Sequence, residues 1–240
     1  MNILVVGNSH AGSLKRAYDN VFGDINNVKF HFVASRGKRL SSMEVIEGVL
    51  SSKKPKLMKD IEHTFGSALV DINKLDLDAV LMYGLELTIP FDFVRSVINK
   101  VYSKQFVEEC FNELSKKFGY RLANNIAVNT SVPTYIASPF FSGKGIHKEK
   151  YSSDLYTQKH EEIATFQEQF LNNLKLRYFL QPIETFNPYC ETFTEYATGS
   201  KRLAVGGKRD DKLHPTSDYR HMNDTFGKIF IQSFVKSLES

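Results

Sequence analysis

The sequence contains no tryptophan, and only two cysteines, Cys110 and Cys190, in 240 residues. The cysteines lie far apart and outside any Cys-x-x-Cys pattern, which argues against a zinc site and against a disulfide framework. Both are expected as free thiols. No apolar run approaches the ~18 residues that a membrane crossing needs. The first run, Ile3 to Val6, is too short for a signal peptide, and no basic segment precedes it. A soluble, cytoplasmic protein without a membrane partner is the expectation. Glycine (14) and proline (7) are too few for a collagenous or low-complexity chain. Charge of one sign is also missing, because 31 basic and 27 acidic residues leave a net +4. Lys and Arg are dispersed, as in "SSKKPKLMKD", with no block of five or six. A dedicated nucleic-acid binder is therefore not expected.

What the chain does have is a series of short apolar runs, each followed by a break. They are Asn2 to Val6, Val28 to Ala34, Asp78 to Tyr83, Thr134 to Ala137 and Arg177 to Leu180. Runs this apolar, without clean alternation, suit strands buried on both faces of a parallel sheet. Helical stretches separate them: Ser13 to Val21, a long one from Phe91 to Gly119, Asp154 to Lys175, and a closing helix after Asn223. This order predicts a single α/β domain over residues 1–240, with a mainly parallel five-stranded sheet and right-handed crossovers. Two stretches read as loops: "PFFSGKGIHKEKYSS" (Pro139 to Ser153), a candidate flap, and the turn-rich segment Ala197 to Asp218.

In such sheets ligands bind beyond the carboxyl ends of the strands. The stretch "VVGNSHAGSL" puts Ser9 there, directly after the first run. Three readings compete. Ser9 is a helix N-cap; or the turn is a phosphate loop, although Gly7 and Gly12 do not form G-x-G-x-x-G; or Ser9 is a nucleophile. The last requires a base to take the hydroxyl proton and a group to orient that base. The segment "DDKLHPTSDYRHMND" contains two candidate pairs in Asp-x-x-His spacing, Asp211 with His214 and Asp218 with His221.

With a serine after the first strand and Asp-x-x-His near the end, the sequence resembles the SGNH (GDSL-like) hydrolases. The resemblance implies a three-layer α/β/α sandwich of flavodoxin-like type, Ser9 as nucleophile, and an oxyanion hole built from the backbone N–H groups of Ser9 and Gly37. The chain departs from the family at the third block. After "DAVLMY" come Gly84, Leu85 and Glu86, so Glu86 stands where the family has asparagine, and a carboxylate cannot donate to an oxyanion. Asn8 and His10, flanking the serine, are the candidate substitutes.

Helix length favours Asp218–His221 over the alternative pair Asp211–His214. With Asn223 as N-cap, the last helix runs from about Asp224 to Leu238 and leaves His221 at its entrance. The resulting expectation is a serine esterase, or an O-acyltransferase, acting on a small-molecule or glycan ester through a Ser-His-Asp triad, with hydrolysis favoured. It requires no metal and no organic cofactor. Two other classes stand beside it: a non-catalytic binding module on the same fold, and a flavodoxin-like domain holding a nucleotide or phosphate at residues 8–12.

Overall fold

The computed structural model describes residues 1–22, 27–140, 153–187 and 189–239. Along the chain, β1 (Asn2–Gly7) leads into α1 (Ala11–Ala17), and β2 (Lys29–Ala34) follows. A small insertion comes next: β3 (Glu44–Ile46), β4 (Val49–Ser51), α2 (Pro55–Phe65) and β5 (Val70–Asp71). The main sheet resumes at β6 (Ala79–Tyr83). Three helices, α3 (Phe91–Ile98), α4 (Lys104–Ser115) and α5 (Phe118–Asn129), then lead to β7 (Thr134–Ala137). After α6 (Ser153–Phe166) come β8 (Leu176–Tyr178), α7 (Thr194–Ala197) and α8 (Asp224–Glu239).

The central sheet has the order β2-β1-β6-β7-β8, and every pair is parallel. Alternate residues of its strands feed two separate cores. Leu4, Val6, Val80, Met82 and Ile136 face one way, with side chains of α2, α4 and α5. Ile3, Val5, Ala79, Leu81 and Tyr83 face the other, with α1 and α8. The architecture is the expected three-layer α/β/α sandwich. Burial on both faces explains why the strands read as unbroken apolar runs.

Two expectations are corrected. The stretch Phe91 to Gly119 is two helices and the first residues of a third rather than one, because the chain breaks at residues 99–103, where Ser103 caps α4 by accepting from the Phe106 N–H at 3.3 Å, and again before α5. The three-stranded antiparallel sheet β3-β4-β5 was not foreseen, since strands of two or three residues carry no readable period. The candidate flap, from Pro139 to Ser153, falls almost wholly outside the described residues. The last helix begins as expected: Asn223 Oδ1 accepts from the Phe226 N–H at 3.1 Å, an N-cap.

The helix α8 anchors the site. It packs against α1 at a distance only glycine permits, since a Cβ on Gly227 would lie 2.2 Å from the Ser13 carbonyl oxygen. Arg16 of α1 reaches Asp224 at 2.7 Å, and its guanidinium also donates to the Arg202 carbonyl. These contacts bring the C-terminal loop over the carboxyl end of β1.

Candidate active site

The order β2-β1-β6 means that the chain leaves β1 for one side of the sheet and returns at β6 on the other. The loops after β1 and β6 therefore diverge and leave a crevice, the usual ligand position of such sheets. A cavity of about 430 Å³ opens there, lined by residues that include Asn8, Ser9, Gly37, Glu86, Arg220 and His221.

Ser9 is not the helix cap. The N-cap of α1 is His10, one residue on, and it makes no side-chain capping bond. The turn closes instead through its backbone: the Ala11 N–H donates to the Asn8 carbonyl at 3.0 Å and the Gly12 N–H to the Ser9 carbonyl at 3.2 Å. The His10 N–H donates to Asn8 Oδ1 at 3.1 Å. The N–H groups of residues 10–12 are thus consumed within the turn, whereas a phosphate loop needs such donors free.

The Ser9 side chain points across the crevice, with Oγ 2.9 Å from His221 Nε2. On the far side of that ring, Nδ1 lies 2.9 Å from Asp218 Oδ2. A carboxylate can only accept, so His221 Nδ1 carries the proton, Nε2 is the acceptor, and the serine hydroxyl donates to it. The other carboxylate oxygen, Oδ1, accepts from the Arg220 N–H at 2.9 Å and the His221 N–H at 3.3 Å. Burial works to raise the Asp218 pKa, but these N–H donors and the adjacent imidazoles outweigh it and hold the carboxyl below its ordinary value. Asp218 is therefore anionic at neutral pH.

His221 is sandwiched between two further imidazoles. His10 stacks on it with centroids 4.8 Å apart, and His214 stacks at 4.0 Å. Burial, reinforced by proximity to His221, lowers the His10 pKa to about 3 and the His214 pKa to about 4. Both rings are neutral at pH 7.

The alternative pair does not assemble. His214 turns its Nδ1 to Asp218 at 2.9 Å, while Asp211 is about half exposed and lies 3.9 Å from Arg16. Asp211 sits at a turn with φ of +52°. His214, Asp218 and His221 are also the one group among the described residues whose ligand atoms are close enough to hold a metal ion. Both imidazole Nδ1 atoms, however, are engaged with the carboxylate.

Gly84, Leu85 and Glu86 all have positive φ, at +75°, +56° and +61°. The Leu87 N–H closes this left-handed turn on the Gly84 carbonyl at 3.0 Å. Each non-glycine residue there costs about 1 kcal/mol, so the turn is a strained feature at the pocket wall. It buries Leu85 and leaves Glu86 exposed at the mouth of the cavity. Gly84 also makes room for Asn8, because a Cβ on Gly84 would meet Asn8 Oδ1 at 2.6 Å. With Oδ1 held by the His10 N–H, the Nδ2 of Asn8 is the end left over, and Asn8 lines the cavity. Gly37, with φ of +64°, lines the same cavity from the loop after β2. Further lining residues, among them Lys38, Thr88, Phe118 and Ser138, carry no periodic or motif signal, and Arg220 falls at an unspecified position of the Asp218-x-x-His221 spacing.

The fold and this edge describe an α/β/α domain carrying a hydrogen-bonded serine, histidine and carboxylate at the carboxyl end of a parallel sheet. No protein-family model matches the sequence, and no curated protein is detectably similar to it. Among solved structures, the chain is similar to the periplasmic domain of a lipopolysaccharide acetyltransferase from Salmonella ser. Paratyphi A. The alignment covers 100% of this chain and 84% of that one, with 10% identity and a TM-score of 0.43. At that level the likeness is one of outline alone. Among the described residues, no helix is long and apolar enough to cross a membrane.

Proposed function

We propose that this protein is a serine-dependent acyl-transfer enzyme acting on an ester of a small or carbohydrate-like molecule. The observation that carries the reading is the relay of two 2.9 Å contacts, Ser9 Oγ to His221 Nε2 and His221 Nδ1 to Asp218. In this reading Ser9 Oγ attacks the ester carbonyl while its proton passes to His221 Nε2. The carbonyl carbon–oxygen bond to the leaving alcohol then breaks, and His221 returns the proton to that oxygen. Water, or the hydroxyl of an acceptor, cleaves the acyl-serine by the same steps in reverse order, hydrolysis being the favoured outcome. Asp218 keeps the imidazole in the tautomer that can accept at Nε2. The developing oxyanion is held by the N–H groups of Ser9 and Gly37 and by Asn8 Nδ2, which takes over from the asparagine missing at the third block. Glu86 stands outside this cradle and meets the rest of the substrate. No metal or organic cofactor takes part in these steps.

The test is covalent labelling with a fluorophosphonate, in which Ser9 Oγ bonds to phosphorus and fluoride leaves. Labelling of the wild type, lost in Ser9→Ala and reduced by at least about 10²-fold in His221→Ala, is the expected result. A folded wild type that takes no label at any pH from 5 to 9 would leave the domain as a binding module.

A further inference from the structure

His214 belongs to neither the nucleophile–base contact nor the oxyanion cradle, yet it is the less accessible of the two imidazoles on Asp218. Its side chain is 5% exposed, against 19% for His221. Its Nε2 is buried and, among the described residues, has no hydrogen-bond partner. A ring present only to fill space would be better served by phenylalanine, because an unpaired buried polar atom costs about 1–3 kcal/mol. The atom that explains a histidine here is Nδ1, 2.9 Å from Asp218 Oδ2, the same oxygen that accepts from His221 Nδ1.

We infer that His214 is a positioning residue of the relay, a second N–H donor that shares Asp218 Oδ2 with His221 while its ring backs the His221 ring at 4.0 Å. The inference rests on the reading of Ser9, His221 and Asp218 given above.

With this donor in place, four N–H groups converge on Asp218: the Arg220 and His221 N–H groups bond to Oδ1, the His221 imidazole bonds to Oδ2, and His214 Nδ1 lies 2.9 Å from the same Oδ2. Contacts on both oxygens restrain the carboxylate plane, and with it the His221 ring that faces Ser9. The second consequence is electrostatic. A carboxylate whose charge is already drawn to a neighbouring donor stabilises the His221 imidazolium less strongly. His214 therefore draws on the same carboxylate charge that stabilises the imidazolium formed when His221 takes the Ser9 proton. His214 performs this role as a neutral donor, since its own protonation is held down to about pH 4 by burial and by His221.

The groups facing His221 are few. His10 comes from the turn after β1, and His214, Asp218 and Arg220 from the loop ahead of α8. The Arg202 charge acts on His214, and Lys38 and Glu86 line the same cavity as His221. His10 is neutral down to about pH 3, so it does not titrate in the same window as the change described next.

The test compares the pH dependence of fluorophosphonate labelling in the wild type, His214→Phe and His214→Asn. Phenylalanine keeps a stacked ring and removes the donor; asparagine places an amide N–H near the Nδ1 position and removes the stack. In His214→Phe the acid-limb midpoint is expected to rise by about one pH unit, with labelling at pH 6 falling about 5- to 10-fold. In His214→Asn the midpoint is expected to return to the wild-type value. A merely structural loss would lower amplitude without moving the midpoint, and equal midpoints in all three proteins would overturn the inference. A direct reading on the wild type does not depend on the variants folding. Long-range proton–nitrogen correlations of the imidazoles are expected to show neutral His214 with its proton on Nδ1 at pH 7, and a proton on Nε2 would overturn the inference. An unlabelled wild type with His214 protonated on Nδ1 would instead overturn the acyl-transfer reading, and with it any catalytic use of the shared carboxylate.

Discussion

Replacing Gly84 by alanine tests the cavity wall and the proposed oxyanion donor together. Gly84 has φ of +75°, and a Cβ there would sit 2.6 Å from Asn8 Oδ1 and 3.1 Å from His10 Cδ2. The left-handed conformation alone costs an alanine about 1 kcal/mol. To relieve the clash Asn8 must rotate, which gives up its bond from the His10 N–H at 3.1 Å, worth about 1 kcal/mol. The total is about 2 kcal/mol, or a fall in Tm of about 4–8 °C for a chain of this size. Gly199→Ala is the control, because Gly199 has φ of +73° and nothing within 4 Å of its would-be Cβ. It should lose only the conformational part, about 2–4 °C. The functional difference should be larger. With Asn8 displaced, labelling of Ser9 should slow by about 10²-fold in Gly84→Ala, the scale of losing one oxyanion donor, and not at all in Gly199→Ala. Asn8→Ala should reproduce the kinetic loss with a smaller change in Tm. If Gly84→Ala matches Gly199→Ala in both melting and labelling, Asn8 is neither locked by its neighbour nor needed by the oxyanion.

Three further outcomes follow from the same contacts. Asp218→Asn leaves an amide between two imidazole donors, so labelling at pH 7 should fall by about 10³-fold or more while the far-ultraviolet circular dichroism is retained. Thermal stability of the wild type should decline as pH falls from 7 towards 4. The folded pKa values of His10 and His214, about 3 and about 4, lie below the unfolded value of 6.5, so the unfolded chain binds protons first; the stability they contribute is full above pH 6.5 and lost on acidification. The decline should be shallower in His214→Asn, and an equal slope would contradict the burial argument. Gly227→Ala should destabilise by about 2–4 kcal/mol in denaturant titration, because its Cβ would meet the Ser13 carbonyl oxygen of α1 at 2.2 Å; a change below about 0.5 kcal/mol would mean that α1 and α8 separate freely.

Local physics made much of this legible in the sequence. Apolar runs such as Ile3 to Val6 mark strands covered on both faces, and Asn223 marks the start of α8 because a side-chain oxygen there satisfies the Phe226 N–H. The Asp-x-x-His spacing is equally local, since Asp218 reaches both the backbone N–H and Nδ1 of His221 within one turn. The His214-x-x-x-Asp218 spacing was just as visible, and it is the signal that would have found the second imidazole on the same carboxylate.

The rest is long-range. Whether Ser9 caps a helix or faces a base depends on His221, 212 residues away, and on the α1–α8 contact that brings it across the sheet. A one-dimensional pattern holds no record of that approach. The breaks that divide Phe91 to Gly119 among three helices, the stacking of His10 on His221, and the locking of Asn8 against Gly84 also depend on neighbours distant in sequence. The sequence by itself determined the sheet, its burial and the candidate residues, because those follow from periodicity and local hydrogen bonding. Only the tertiary structure decided which histidine meets Ser9 and which shares its carboxylate, because that choice rests on packing between elements at opposite ends of the chain.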